Sequence, residues 1–144
     1  MTSERTERTL ILLKPDAVER NLRGEILRRI EAKGYTIVAL AQRTATAEEL
    51  AAHYAEHEGK PFYAPLVEYM AASPLVVVVA EGERVIEGFR SLAGTTDPTT
   101  AAPGTIRGDL GRQWDAPVMQ NLVHGSDSPE SAAREIAIWF PELG

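Results

Sequence analysis

The chain predicts an α+β fold of the ferredoxin-like kind: a split βαβ sandwich with an antiparallel sheet covered by helices, plus inserted helices and one long loop. Two observations carry this. Short apolar runs of strand length alternate with helix-period segments in the order β-α-β, a helical insert, then β-α-β. The run LVVVVA at residues 75–80 is the strongest strand signal, and its unbroken apolar character suits a central strand.

Each element has its own signal. Residues 8–13 end in LILL, a buried strand that stops at Lys14-Pro15, because proline cannot donate to a sheet ladder. Asn21 serves as N-cap of a helix that places Leu22, Ile26, Leu27 and Ile30 on one face, and Gly34 ends it. Residues 35–40 form a second strand rich in β-branched side chains. Thr46 and Glu49 have the spacing of a capping box, opening a short helix through Tyr54. Residues 61–70 make another helix carrying Leu66, Met70 and the aromatic pair Phe62 and Tyr63. After the central strand, residues 83–92 read as a helix. Residues 94–115 have little periodicity, and a stretch of that length inside a compact domain is usually functional or disordered. Residues 118–123 form the last strand, followed by HGSDS, and Ser128-Pro129 opens a final helix to Trp139. With no repeat, low-complexity segment or linker, residues 1–144 are expected to be one domain with its core at about 8–141.

The bulk numbers narrow the function classes. At 144 residues, 44% apolar and 25% charged, the chain can bury a proper core. It has no cysteine, so disulfides, thiolate nucleophiles and cysteine-ligated metals are excluded. The start, MTSERTER, has no apolar signal core, and no apolar run nears the roughly 20 residues a bilayer span needs. A cytoplasmic protein with no membrane partner is expected. A net charge of −6 argues against nonspecific nucleic-acid binding, so no specific nucleic-acid partner is expected either. An anionic substrate then needs a local cationic pocket, and between Gly88 and Gly108 the charged residues are Arg90, Asp97 and Arg107.

Three features carry candidate chemistry. His124 follows the last strand, and a neutral ring nitrogen is a competent phosphoryl acceptor near pH 7. Taken alone, a histidine is more often a surface or satisfied core residue. Glu135 lies about two turns into the final helix, on roughly the face of Ser128. From there it can orient one nitrogen of His124, or stand as a solvated helix glutamate. The loop GTTDPTTAAPGTIRG, residues 94–108, offers small residues, hydroxyls and arginines to a phosphate; the alternative is a disordered polar loop. There is no Walker A pattern, G-x-G-x-x-G, H-E-x-x-H or EF-hand loop. His53 and His57 share a helix face, but with no third ligand evident a zinc site is not expected.

These segments together resemble the nucleoside diphosphate kinases. The octet NLVHGSDS at residues 121–128 resembles the signature around that family's active histidine. LILLKPDA (10–17), His53-Tyr54, Lys60-Pro61-Phe62, PGTIRGD (103–109), Ser131-Ala132, Glu135-Ile136 and Trp139-Phe140 match in the same order. The resemblance implies that His124 takes the γ-phosphate of a nucleoside triphosphate and passes it to a diphosphate in a ping-pong cycle. It further implies that Glu135 orients the imidazole with Ser126 in support, that Tyr54 lies close by, and that Lys14 and Asn121 bind the sugar. Arg90, Thr96 and Arg107 would hold the phosphates, Lys14 would offset developing charge, and Mg²⁺ would bridge the phosphates without protein side-chain ligands. Phe62 would stack on the base with apolar help from Leu66 and Val118, a contact that tolerates any base. A homo-oligomer, hexamer or tetramer, built from a common dimer is implied as well.

Two departures from the family pattern stand out. The stretch from Arg107 to His124 is several residues longer, with the excess within residues 110–117, and Gln120 stands where many members carry arginine. Arg112 is a candidate substitute for that charge. The runner-up reading is a catalytically silent nucleotide-binding module. A nucleic-acid-binding scaffold comes third, disfavoured by the acidic balance.

Overall fold

Among the described residues, four strands form one antiparallel sheet: β1 (Thr6–Leu13), β2 (Thr36–Arg43), β3 (Leu75–Glu83) and β4 (Val123–Gly125). Their spatial order is β2-β3-β1-β4. The helices are α1 (Pro15–Glu19), α2 (Arg23–Ala32), α3 (Ala47–His53), α4 (Tyr63–Ala72), α5 (Val85–Ala93), α6 (Ile106–Leu110) and α7 (Pro129–Trp139). This computed structural model describes residues 6–112 and 118–143. The arrangement is the ferredoxin-like α+β sandwich that the element order predicts.

Period-two geometry explains why the two central strands read as unbroken apolar runs. Ile11, Leu13, Val76 and Val78 face one helical layer and meet Ile26 and Ile30 of α2 and Phe89 of α5. Leu10, Leu12, Val77 and Val79 face the other, against Leu50 of α3, Met70 of α4 and Ile136 and Trp139 of α7. Both faces of β1 and β3 are therefore covered, and each large side chain so buried contributes about 1.5–3 kcal/mol. β2 lies at the sheet edge and alternates between exposed and half-buried residues. No helix of the described residues is long and apolar enough to cross a membrane.

Several local expectations shift. The first strand stops at Lys14-Pro15 as read, but Pro15 also opens a helix that was not expected, α1, where its fixed φ and missing N–H are tolerated. Asn21 is not a helix cap. It takes φ +59° in the turn between α1 and α2, a conformation asparagine tolerates, and Leu22 holds the cap position. The helix expected from residue 61 starts at Tyr63, and the one expected from residue 83 starts at Val85, after Arg84 at φ +53°. Residues 94–115 contain α6, whose N-terminus is capped by the Thr105 hydroxyl accepting the Gly108 N–H. The strand expected over residues 118–123 begins only at Val123, because Leu122 sits at φ +70° and cannot be extended. His124 consequently lies within β4, paired opposite Leu12, and not beyond its end. The Thr46 capping box and the Ser128-capped α7 form as read. Of the longer stretch at 110–117, residues 113–117 lie outside the described residues.

Candidate active site

The site grows from the β4–α7 connection. Gly125 lets β4 press onto α5: a Cβ there would lie 2.6 Å from Cδ2 of Phe89. Ser126 is fully buried, and its hydroxyl donates to Glu135 Oε1 at 2.7 Å while accepting the Leu10 N–H at 3.2 Å. Two turns into α7, Glu135 is 5% exposed and accepts from His124 Nε2 at 2.9 Å. Burial pushes the Glu135 carboxyl up, but the hydrogen bond and charge of His124, with the Ser126 hydroxyl, bring it below the ordinary carboxylate range. With Nε2 donating to Glu135, the proton of the neutral His124 ring is placed there. Nδ1 is left with a free lone pair.

His53 backs this pair, its ring centroid 4.6 Å from that of His124 and nearly perpendicular. Trp139 Nε1 donates to His53 Nδ1 at 3.1 Å. Burial, with the neighbouring His124, drives the His53 pKa down to about 3, so the ring is neutral with its proton on Nε2. His53, His124 and Glu135 bring ligand-type atoms within 4.8 Å of one another, the spacing of a metal cluster. Their donor chemistry points elsewhere: the Nδ1 lone pair of His53 is taken by Trp139, and Nε2 of His124 is protonated toward Glu135. A metal would have to displace both bonds.

On the other side of His124 lies a cleft of about 260 Å³, lined by Lys14, Arg90, Thr96, Arg107 and Asn121, with no carboxylate among its lining residues. Lys14 Nζ donates to Asn121 Oδ1 at 2.9 Å, and Asn121 Nδ2 donates to the Thr96 carbonyl at 3.1 Å. Burial, and then the charge of Arg107, lower the Lys14 pKa to about 8, with Asp16 acting in the opposite sense. Arg107 is stitched to three carbonyls, those of Asn121 at 3.1 Å, Gly94 at 2.8 Å and Val123 at 2.7 Å. Burial and nearby Arg90 bring its pKa down to about 10. A guanidinium has five donors, so Arg107 braces the cleft wall and still has N–H groups for a ligand. A second cavity of about 220 Å³ shares His124 and Arg90 with the cleft and is walled by Tyr54, whose phenol burial pushes upward. A polyanion held in the first cleft would lie among Lys14, Arg90 and Arg107 and beside His124.

Comparison with known proteins agrees with this geometry. A family model described as nucleoside diphosphate kinase matches residues 7–143. The chain belongs to the nucleoside diphosphate kinase family. As a member of that family it is an enzyme, a kinase that transfers phosphate between nucleotides. It is 60% identical over 139 residues to the nucleoside diphosphate kinase of Mycolicibacterium gilvum, covering 96% of this chain and 99% of the relative. Against that of Rhodococcus jostii it is 62% identical over 139 residues, covering 96% and 97%. Among solved structures, a halophilic nucleoside diphosphate kinase from Halobacterium salinarum in complex with CDP superposes with a TM-score of 0.86 at 43% identity. That match covers 93% of this chain and 87% of the other.

In this nucleoside diphosphate kinase, Lys14, Arg90, Thr96, Arg107 and Asn121 converge with His124 on one cleft. Glu135, held by Ser126, bonds His124, and Tyr54 lines the second cavity with His124 and Glu135. The three residues expected at the base lie apart from the cleft lining. Phe62 is 49% exposed, with His57 against its ring at 5.2 Å and the Lys60 ammonium 5.9 Å from its centroid. Leu66 packs against the core layer around Met70, and Val118 is half-buried. Arg112 is exposed, and its charge acts on Arg20. Sequence reasoning assigned no part to Asp16 or Trp139, and weighed His53 only as a metal ligand. All three sit inside segments that match the family pattern. Yet nothing in their spacing says that Trp139 reaches His53 across 86 residues.

Proposed function

We propose that the chain moves the γ-phosphate of a nucleoside triphosphate to a nucleoside diphosphate in two half-reactions through a phosphohistidine on His124. The observation that carries this reading is the 2.9 Å bond from His124 Nε2 to Glu135, which leaves Nδ1 as the nucleophile. In the first half-reaction the Nδ1 lone pair forms the N–P bond as the bond from γ-phosphorus to the bridging oxygen breaks, and the nucleoside diphosphate leaves with that electron pair. Glu135 stabilises the positive ring that forms. The second half-reaction runs the same steps backwards onto a different diphosphate. Arg90, Arg107 and Lys14 offset charge on the phosphoryl oxygens, Thr96 adds a hydroxyl, and Lys14 with Asn121 holds the sugar hydroxyls; alignment and neutralisation are the main demands of this chemistry.

The divalent ion, assigned here as Mg²⁺, arrives with the nucleotide phosphates as part of the substrate. A resident ion of this type needs carboxylate ligands, and the cleft lining has none. The half-exposed Phe62 stacks on the base with Leu66 and Val118, which gives tolerance among bases. On the family resemblance we also assign a cytoplasmic homo-oligomer, a hexamer or a tetramer of dimers, with residues 1–144 as one domain.

The test is incubation with Mg-ATP, mass spectrometry under mildly alkaline conditions, then addition of GDP. One phosphate should appear on the peptide bearing His124 and vanish as GTP forms, and His124→Gln should do neither. A folded wild-type protein that binds nucleotide yet never labels points to a silent binding module. Turnover retained in His124→Gln would defeat the mechanism outright.

A further inference from the structure

Two residues before His124 the backbone makes a turn that a leucine resists. Leu122 is fully buried at φ +70°, and the Val123 N–H donates back to the Asn121 carbonyl at 2.8 Å. A hydrogen bond closed over one residue at positive φ is the rare, strained hand of the γ-turn, and a bulky residue there persists only where its surroundings over-determine it.

Those surroundings come from one short segment. The Leu122 N–H donates to Asp16 Oδ2 at 3.1 Å, and the Leu122 carbonyl accepts the Lys14 N–H at 2.8 Å. A third link is the bond from Lys14 Nζ to Asn121 Oδ1 at 2.9 Å. Asp16 is 3% exposed, and its Oδ1 has no hydrogen-bond partner. A buried carboxylate with an idle oxygen is costly, so its retention calls for a reason. Capping is not that reason: α1 has no side-chain cap bond, and the carboxylate is spent on a residue 106 positions away. Tyr69 meets Asp16 at the backbone, its hydroxyl accepting the Asp16 N–H at 3.0 Å, and burial together with the nearby Asp16 carboxylate pushes its phenol upward.

We infer that Asp16 is a positioning residue for phosphoryl transfer, its carboxylate holding the strained turn at Leu122 that sets Asn121 against Lys14 and brings His124 into register beside the cleft. The inference rests on the phosphohistidine reading above and adds the device that keeps the nucleophile and its cationic partner in fixed relation. Asp16 touches neither substrate nor reacting atoms; it acts through the backbone of residues 121–124.

The experiment compares wild type with Asp16→Asn, Asp16→Ala, Asp16→Glu and Tyr69→Phe, each checked for folding by circular dichroism. The readouts are the single-turnover rate of phosphohistidine formation at saturating and limiting Mg-ATP, and amide exchange at Leu122. Asp16→Asn retains an oxygen for the Leu122 N–H and should keep the rate within about threefold, because the geometry of the turn is preserved. Asp16→Ala removes the acceptor and should slow labelling at saturation by roughly 10- to 100-fold, with faster exchange at Leu122. Tyr69→Phe leaves the carboxylate in place and should label at the wild-type rate. A merely structural role predicts lower melting temperatures with an unchanged rate per folded molecule. If Asp16→Ala does not fold, Asp16→Glu carries the test: the longer side chain misplaces the acceptor, so a folded but slow enzyme supports the inference. Folded Asp16→Ala or Asp16→Glu labelling at the wild-type rate overturns it. A wild-type chain that never labels His124 instead removes the reading on which it rests.

Discussion

At the scale of single residues, the working of this site comes down to where protons sit. Glu135 is buried beside His124 Nε2, already paired with Ser126, and held ionised below the ordinary carboxylate range, so it accepts the ring's hydrogen bond. Lys14 presents the opposite case. Burial and Arg107 lower its pKa to about 8, so it is charged below that pH and loses its charge above it. Because kcat/KM reports groups of the free enzyme, it should fall as pH rises through about 8. Lys14→Arg keeps its charge throughout and should move that limb upward. Its planar fork fits the Asn121 contact less well, so the plateau should also drop. A limb in the same place for both enzymes would show that some other group titrates.

At the scale of elements, the decisive contact is β4 on α5. Gly125 follows His124, and any Cβ there would meet Phe89, which is fully buried and has nowhere to turn. Gly125→Ala must therefore lift β4 or shift α5, an overpacking change that typically costs about 1–3 kcal/mol. The same displacement moves His124 relative to Glu135 and the cleft cations. Stability and the rate of histidine phosphorylation should fall together, and Phe89→Leu in the same chain should restore part of both. Urea unfolding and single-turnover labelling measure the two effects. A Gly125→Ala protein with undiminished labelling would mean that the strand need not sit this close to the helix.

For the molecule as a whole, a sheet covered by helices on both faces buries a histidine at its functional centre, and that has a cost in acid. His53 is held neutral, with a pKa of about 3, through burial against His124 and Trp139. Above about pH 6.5 the folded and unfolded chains both keep this ring neutral. Below it, the unfolded chain takes up a proton that the folded chain refuses until about pH 3, so stability falls across that window. The slope approaches about 1.4 kcal/mol per pH unit from this one group. Denaturant midpoints measured at fixed protein concentration should drop more steeply between pH 6 and 4.5 for wild type than for His53→Gln. Parallel slopes would remove His53 as the cause. Loss of the Glu135 contribution belongs to lower pH, since its depressed carboxyl stays ionised until the medium falls below the ordinary range.

What could be read directly from the residues was whatever local chemistry decides. The unbroken apolar runs of β1 and β3, the Thr46 capping box and the Ser128-Pro129 start of α7 are set by neighbours a few positions apart, and they form as expected. The family pattern likewise named the residues that gather at His124, because those short motifs lie intact along the chain. Residues 118–122 look extended by composition, yet the last strand starts only at Val123. Long-range bonds from Lys14 and Asp16 hold Leu122 at φ +70°, and pairing begins at Val123. The tautomer of His53, the lowered pKa of Lys14 and the burial of an idle Asp16 oxygen were equally out of reach. Propensity and periodicity act over one or two turns of chain. Desolvation and hydrogen bonds between segments a hundred residues apart exist only once the sheet has brought those segments together.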